Sequence, residues 1–225
     1  YLRNFHHQTD GYLSDFSASI YDLQVDILFN GSANSMRRRI LKPLKEGLNN
    51  FNDRKSSSIR ILDVATGSGR TLKQLRGAFP KEKILGLDLS DSYLKEASRH
   101  ISDLDGDLIE LIKGNAENLP FEDNSLQAVS CVYLFHELPR TVREKVLREF
   151  FRVLEPGGTV VLADSIQIID SPNFISIMEG FYKNFHEPFY CDYIRDNIDS
   201  KMEGLGFKNI NTKSFFMTKV WSAIK

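Results

Sequence analysis

The sequence has few cysteines, no long apolar run and no excess of charge of either sign. Two cysteines, Cys131 and Cys191, are too few for a disulfide framework, which favours a reducing compartment. No apolar stretch approaches the roughly 18 residues of a membrane span. Lys and Arg total 29 against 30 Asp and Glu, so the chain lacks the basic surface typical of proteins that bind nucleic acid. The five histidines show no metal-ligand spacing.

These absences predict a cytoplasmic protein with no nucleic-acid partner, no membrane span and no metal. The chain begins at Tyr1 and not at Met, so a targeting segment ahead of it would not be seen. Its 225 residues, of which 41% are hydrophobic, are enough to bury one sizeable core. We therefore expect one main domain with appendages.

The most informative stretch runs from Ile59 to Leu72. It begins as a short apolar run rich in β-branched residues, which is typical of a buried parallel strand. It continues through Thr66-Gly67-Ser68-Gly69 into apolar residues at helical spacing. Strand, tight glycine turn and helix form the layout of a nucleotide-type site, in which glycines let the backbone pass close to a ligand.

Two residues of this stretch indicate which ligand it takes. A dinucleotide-binding turn needs a third glycine, and that place is occupied by Leu72. Asp63 lies inside the predicted strand, where a carboxylate suits a ligand with an ammonium or a sulfonium better than a pyrophosphate. Both observations disfavour an NAD(P)-dependent oxidoreductase, which is kept as an alternative.

Asp88 ends the second predicted strand, 19 residues after Gly69. In α/β nucleotide sites, an acid about 20 residues after the glycine turn binds the ribose. A carboxylate has two acceptor oxygens for the two ribose hydroxyls. We therefore predict that Asp88 holds a ribose. The alternative is that Asp88 caps the next helix, but Ser90 is better placed for that role.

Three further segments extend this pattern. Gly114 to Phe121 follows the third predicted strand, Leu134 to Pro139 follows the fourth, and Arg152 to Gly158 precedes the fifth. Together with Asp63 to Gly69, they resemble, in order, the motifs of class I S-adenosylmethionine (SAM)-dependent methyltransferases. The closest resemblance is to the small-molecule enzymes of the ubiquinone and menaquinone biosynthesis type.

The resemblance implies an α/β fold, a Rossmann-like, seven-stranded, mostly parallel sheet with a C-terminal antiparallel hairpin and helices on both faces. We expect an N-terminal helical arm, residues 1–50, that covers the pocket. The methyltransferase domain is expected at residues 51–225, with an aromatic lid insertion at 171–193. In the arm, the three adjacent arginines from Arg37 to Arg39 fan around a predicted helix, which favours a solvated surface.

The cofactor implied by the resemblance is SAM, with contacts from the ends of the strands. The predicted cofactor-binding residues are Asp63, Ala65, Thr66, Gly67, Gly69, Asp88, Leu89, Asn115, Ala116 and Tyr133. The family places an Asp at the adenine amino group where this chain has Asn115. An amide oxygen still accepts a hydrogen bond from that group, so the role is expected to be kept.

The predicted function is transfer of the SAM methyl group to a small acceptor. An aromatic or lipid-like acceptor would suit the aromatic residues of 171–193. Substrate contacts are expected from His6, Tyr12 and Tyr21 of the arm and from His186 and Tyr190 of the lid. A catalytically silent SAM-binding or partner-binding protein is the alternative. The sequence leaves the oligomeric state and the methylated atom open.

Methyl transfer from SAM needs a base only where the nucleophile must lose a proton. His136 leads the candidate bases, because imidazole has a suitable pKa and the residue follows a strand end. Tyr133, at the same strand end, is the second predicted catalytic residue. The alternative role for His136 is that of a helix-entry residue bonded to backbone.

Overall fold

The computed structural model describes residue 7, residues 11–104 and residues 108–225. Its described residues form one seven-stranded sheet in the order β3-β2-β1-β4-β5-β7-β6. The strands are β1 (Arg60–Val64), β2 (Lys83–Asp88), β3 (Ile109–Lys113), β4 (Leu126–Val132), β5 (Leu154–Ser165), β6 (Lys208–Phe215) and β7 (Thr218–Ile224). The chain reverses direction along the sheet at β1, so β2 and β4 lie on either side of it. Such a switch point opens a crevice at the carboxyl ends of the strands.

The last strand, β7, runs antiparallel to both of its neighbours. Strands β1 to β5 pair in parallel, and β7 pairs antiparallel with both β5 and β6. β6 and β7 are joined by a turn at Phe216, which has a φ of 56°, and the return strand inserts between β5 and β6. The predicted mostly parallel sheet with a C-terminal antiparallel hairpin is confirmed.

Helices cover both faces of the sheet, as predicted. They are α1 (Asp15–Leu28), α2 (Ala33–Arg37), α3 (Leu41–Leu48), α4 (Arg70–Ala78), α5 (Asp91–His100), α6 (Arg140–Val153), α7 (Ile175–Phe185), α8 (Tyr190–Tyr193) and α9 (Ile198–Leu205). Neighbouring residues of a strand point to opposite faces. Accordingly, Ile61 of β1 is buried with α3 and α4, whereas the next residue, Leu62, is buried with α6 and α9. Apolar residues at successive positions are therefore the signature of a strand covered on both sides.

The first 50 residues divide between the helical layer and the region above the strand ends. Ile40 and Leu44 are fully buried in the cluster between the sheet and the helices α3 and α4. Helix α3 is therefore part of the layer that covers this face of the sheet. A short 3₁₀ turn, Gly11–Leu13, and α1 lie instead beside α5 at the carboxyl edge. α1 starts at Ser14, whose hydroxyl accepts from the backbone N–H of Ser17. No helix in the described ranges is long and apolar enough to cross a membrane.

Candidate functional site

A cavity of about 560 Å³ opens at the carboxyl ends of β1, β2 and β4. Its lining combines polar residues, among them Asp88 and Asn115, with apolar side chains. The lining residues are Tyr12, Leu13, Tyr21, Ala65, Gly67, Leu87, Asp88, Leu89, Ser90, Tyr93, Gly114, Asn115, Ala116, Glu117, Val132, Tyr133, Leu134, Glu137, Leu138, Pro139, Val142 and Phe189. Its size is that of an ordinary small-molecule site.

The glycine turn between β1 and α4 forms one wall of this cavity. Gly67 and Gly69 both adopt positive φ angles, 54° and 81°. A Cβ added at Gly69 would lie 3.0 Å from the Cα of Ala97 in α5, so a larger residue there would push α5 away. Gly67 lines the cavity, whereas Gly69 lies behind it and lets α4 approach α5. The two glycines are therefore required for different reasons.

Asp88 is held beside the glycine turn by backbone donors. Its Oδ2 accepts from the N–H of Gly67 at 2.8 Å, and its Oδ1 accepts from the N–H of Ser90 at 2.9 Å. Burial raises the pKa of Asp88, and these backbone hydrogen bonds oppose that rise. The carboxylate thus lines the cavity in a fixed orientation, with a second lone pair on each oxygen available for a further donor.

Ala65 and Tyr133 end two neighbouring strands in an unusual backbone conformation. Their φ angles are 57° and 58°, a region that residues other than glycine seldom occupy and that is enriched at functional sites. Both residues line the cavity. The Tyr133 hydroxyl is hydrogen-bonded to Thr218 of β7, and burial raises the pKa of this phenol. Tyr133 is therefore a neutral, fixed phenol at neutral pH.

Asp63 lies behind the turn and does not line the cavity. Its two carboxylate oxygens accept from the hydroxyls of Thr66, at 2.8 Å, and Ser130, at 2.7 Å. Burial raises the pKa of Asp63 to about 6, although both hydrogen bonds lower it. Asp63 therefore ties the turn to β4 and acts on any ligand through its charge, without contact. Thr66, which binds this carboxylate, also lies outside the main cavity.

The segment after β3 lines the cavity next to the end of β2. Asn115 and Ala116 line the cavity, as does Leu89 after β2. The side-chain oxygen of Asn115 accepts from the N–H of Glu117 at 2.9 Å, which fixes the amide within a local turn. The N–H of Gly114 donates to the carbonyl of Asp88 at 2.9 Å, so this wall is tied to the end of β2.

His136 is brought close to the site but not into its lining. Its Nδ1 lies 2.6 Å from Oδ1 of Asp164 at the end of β5. Burial lowers the pKa of His136, but the adjacent carboxylate of Asp164 outweighs this and the net result is a pKa of about 10. The ring is therefore an imidazolium at neutral pH. This pKa differs from the ordinary imidazole value on which the expectation of a base was founded, and a catalytic role for His136 stays a prediction.

The expected substrate residues fall into two groups. Tyr12 and Tyr21 line the cavity, and the hydroxyl of Tyr12 donates to Glu137. Tyr190 is buried beneath the cavity wall, with its hydroxyl 2.6 Å from that of Ser165. The exposed ring of His186 lies 5.6 Å from that of His7. His6 lies outside the described residues, and Phe189 is the aromatic residue of 171–193 that reaches the lining.

The cover helix α1 is attached to the glycine turn through Asp22. Its carboxylate accepts from the hydroxyl of Ser68 at 2.8 Å and from Nε of Arg70 at 2.7 Å. These contacts join residues 46 and 48 positions apart, so they give no signal in the local sequence. They hold α1 over the carboxyl edge of β1.

The expectation of a solvated surface is wrong for Arg37. It is 7% exposed, whereas Arg38 and Arg39 are exposed to solvent. It lines a small recess of about 30 Å³ on the far side of the glycine turn, together with Tyr21, Thr66 and Ser68. The local signal, three arginines in a row, is the same for all three residues. In the described ranges, no group of three or more His, Cys, Asp or Glu residues is arranged to hold a metal.

Comparison with known proteins agrees with this geometry. Residues 61–158 match a family model described as a methyltransferase domain. The chain is 32% identical over 177 residues to a demethylmenaquinone methyltransferase of Thermotoga maritima. These aligned residues make up 79% of this chain and 70% of that protein. A demethylmenaquinone methyltransferase of Bacillus cereus is 32% identical over 127 residues, or 56% of this chain and 51% of that protein.

A solved structure shares the fold at much lower identity. Human N-acetylserotonin methyltransferase in complex with SAM matches with a TM-score of 0.69 and 14% identity, over 94% of this chain and 56% of that chain. The chain thus spans about half the length of the Bacillus and human proteins. At this identity, the likeness to the human enzyme concerns the arrangement of strands and helices alone.

Proposed function

The chain belongs to the class I S-adenosylmethionine-dependent methyltransferases, and we propose that it transfers the methyl group of SAM to a small aromatic or lipid-like acceptor. The observation that carries this proposal is the mixed lining of one cavity. Asp88 and Asn115 line it together with the apolar side chains of Leu13, Leu138 and Phe189. A site for a polar cofactor is thus continuous with a site for an apolar partner.

The polar and small residues of this lining fit SAM. Asp88 offers two fixed acceptor oxygens to a ribose diol, and Asn115 and Ala116 face the place for an adenine on the neighbouring wall. Ala65 and Gly67 present little or no side chain, so the methionyl part would lie close to the backbone of the turn. Asp63 behind the turn supplies a negative charge near the sulfonium and the ammonium.

SAM brings an activated methyl group, so the protein mainly has to align the acceptor and exclude water. Where the acceptor is a hydroxyl or a quinol, a base must take its proton. We assign that role to Glu137, which lines the cavity and accepts a hydrogen bond from Tyr12. His136 lies next to it, with Nε2 3.7 Å from a Glu137 oxygen. The His136 ring faces the Glu137 carboxylate and is a positioning residue.

The aromatic and aliphatic lining supports the acceptor class. Side chains from the Gly11–Leu13 turn, from the segment after β4 and from Phe189 line the cavity that Asp88 also lines. Apolar walls with few polar groups are typical of sites for drug-sized aromatic or isoprenoid ligands. Two relatives at 32% identity are named demethylmenaquinone methyltransferases, which agrees with a quinol-like acceptor.

The proposal is tested in two stages, binding and turnover. Calorimetry with SAM, S-adenosylhomocysteine and NADH should give binding of the first two and none of NADH. Turnover should then be assayed as formation of S-adenosylhomocysteine with a panel of reduced naphthoquinones, simple phenols, fatty acids and ethanolamines. We expect activity with the quinols or phenols. Binding of SAM without turnover of any acceptor would instead favour a silent SAM-binding protein, and binding of NADH would contradict the proposal outright.

A further inference from the structure

We propose that Arg37 binds the carboxylate of the methionyl group of SAM, a role that rests on the proposed function only in requiring that SAM binds. Arg37 is 7% exposed and ends α2, a helix whose neighbouring arginines point to solvent. Burying a guanidinium costs free energy unless an anion or good acceptors compensate for its lost hydration. The burial of this one member of the Arg37 to Arg39 run therefore needs an explanation.

The protein itself gives Arg37 little compensation. The hydrogen bond that its guanidinium makes is long, with Nη1 3.5 Å from Oδ1 of Asn34. Within residues 7, 11–104 and 108–225, no carboxylate lies within 4.0 Å of it. Asp63 is in the same region, but both of its oxygens are bonded to hydroxyls. The guanidinium thus has donors to offer to a ligand.

Its position relative to the cavity indicates which ligand atom it meets. The recess that Arg37 lines shares Tyr21, Ala65 and Gly67 with the main cavity, so the two spaces meet across the glycine turn. Its volume of about 30 Å³ suits a single small polar group. A ligand whose ribose is held at Asp88 would extend past Gly67 towards this recess. In SAM, the group at that end is the amino-acid carboxylate.

The local electrostatics favour an anion there. The recess adjoins the first turn of α4, a nine-residue helix whose N-terminus adds positive potential. Arg70 of that turn is already neutralised by Asp22 at 2.7 Å. Of the two arginines that line the recess, Arg37 is therefore the one whose charge is not balanced by a carboxylate of the described residues. Its planar guanidinium matches a carboxylate in a bidentate arrangement.

The test compares ligands that differ only in the carboxylate. Affinities of SAM and of decarboxylated SAM, which keeps the ammonium, the sulfonium and the adenosine, should be measured by calorimetry for the parent protein and for Arg37→Gln. The matched control is Arg38→Gln, an exposed arginine of the same run. We expect Arg37→Gln to weaken SAM binding about 10- to 100-fold and to leave decarboxylated SAM unchanged. Arg38→Gln should bind both ligands like the parent.

Several outcomes separate this proposal from the proposed function. Equal losses for the two ligands in Arg37→Gln would show that Arg37 acts on the turn and not on the carboxylate, which would overturn the proposal. If Arg37→Gln does not fold, the parent protein and Arg37→Lys decide. The parent must prefer SAM over decarboxylated SAM by about tenfold or more, and Arg37→Lys must reduce that preference. A parent protein that does not bind SAM at all would refute the proposed function itself.

Discussion

The carboxylate of Asp88, at the end of β2, accepts a hydrogen bond from the backbone N–H of Gly67, at the tip of the turn after β1, over 2.8 Å. Its other oxygen accepts from the N–H of Ser90 at 2.9 Å. One side chain thus fixes the glycine turn and the start of α5, and it is the residue that we propose binds the ribose. Replacing it changes the wall of the site as well as a ligand contact.

Asp88→Asn should therefore weaken SAM binding by about 1–3 kcal/mol, because it removes a charge-assisted acceptor. It also turns an NH₂ group towards one of the two backbone donors. The free energy of unfolding should also fall by about 1 kcal/mol. The measurements are calorimetric titration with SAM and denaturant unfolding. Asp91→Asn is the control, because Asp91 is an exposed acid that pairs with Lys113 on the surface. Equal affinities for Asp88→Asn and the parent would reject the ribose assignment.

The parts of this site that sequence predicted are those encoded within short stretches. The strand before Gly67 is marked by its apolar run, and the turn by two glycines whose positive φ angles few other residues adopt. Asp88 was found by its spacing alone. The mostly parallel sheet with its C-terminal hairpin was predictable because four segments resemble the family's motifs in order, and a fold is shared across a family even where its substrates differ.

The parts that sequence missed depend on contacts between distant residues. Arg37 differs from Arg38 only in the direction its side chain takes, which is set where α2 gives way to the 3₁₀ turn Arg38–Ile40. His136 was found as a strand-end residue, but its partner Asp164 lies 28 residues further on at the end of β5. A histidine has an ordinary pKa until such a neighbour is known.

The pairing of His136 with Asp164 predicts a pH-dependent stability. The pKa of His136 rises from its usual 6.5 to about 10 on folding, so the folded protein holds a proton that the unfolded chain releases above pH 6.5. The stabilisation is fully present below pH 6.5 and is lost as pH rises through about 10. The free energy of unfolding of the parent should therefore fall between pH 7 and pH 9.5, measured by urea denaturation.

His136→Gln should lack this slope, because glutamine does not titrate. His186→Asn is the control, since His186 is an exposed histidine with a φ of 56° that asparagine tolerates. His136→Gln also tests whether His136 is the catalytic base. If His136 were the base, the turnover lost in His136→Gln would be regained at higher pH. We expect no such recovery, and its appearance would return His136 to the role of base.

Asp63 predicts a second pH dependence of stability, of the same sign but in a lower pH range. Burial raises its pKa from the usual 3.8 to about 6, so the ionised form that is present at neutral pH is destabilising. The favourable contribution of protonated Asp63 to the free energy of unfolding is fully present below pH 3.8 and is lost as pH rises through about 6. Asp63→Asn should consequently be more stable than the parent at pH 7.5, with the difference shrinking towards pH 4. The hydroxyls of Thr66 and Ser130 can reorient to accept from the new amide.

The same substitution should weaken SAM binding, because the cationic end of the cofactor loses a nearby negative charge. Binding of SAM to the parent at pH 6 should also release protons from Asp63. That release is measured as a dependence of the calorimetric enthalpy on the buffer, and it should be absent in Asp63→Asn. Asp53→Asn, an acid in an exposed loop, serves as the control for net charge. Unchanged SAM affinity in Asp63→Asn would mean that the acid serves the turn alone.

The last prediction concerns the cover formed by the Gly11–Leu13 turn and α1. Tyr12 and Leu13 line the apolar part of the cavity, whereas Asp22 attaches α1 to Ser68 of the glycine turn. Deleting residues 1–13 leaves the Ser14 cap of α1 and the Asp22 contacts in place. SAM binding should change by less than about threefold, because the cofactor contacts lie on the core loops. Methyl transfer should fall by at least about a hundredfold, since the acceptor loses part of its wall and water enters.

Tyr12→Phe separates the wall from the hydrogen bond. It keeps the ring beside Tyr93, 6.1 Å away between centroids, and removes the hydroxyl that donates to Glu137. A modest loss of turnover in Tyr12→Phe with a large loss on deletion would assign the effect to enclosure.

Hydrogen exchange with and without S-adenosylhomocysteine gives an independent test of the cover. Protection gained at 66–69 and 114–117 should extend to 11–28 and 171–193. Protection confined to the core loops would mean that these two segments pack on the domain without closing over the ligand.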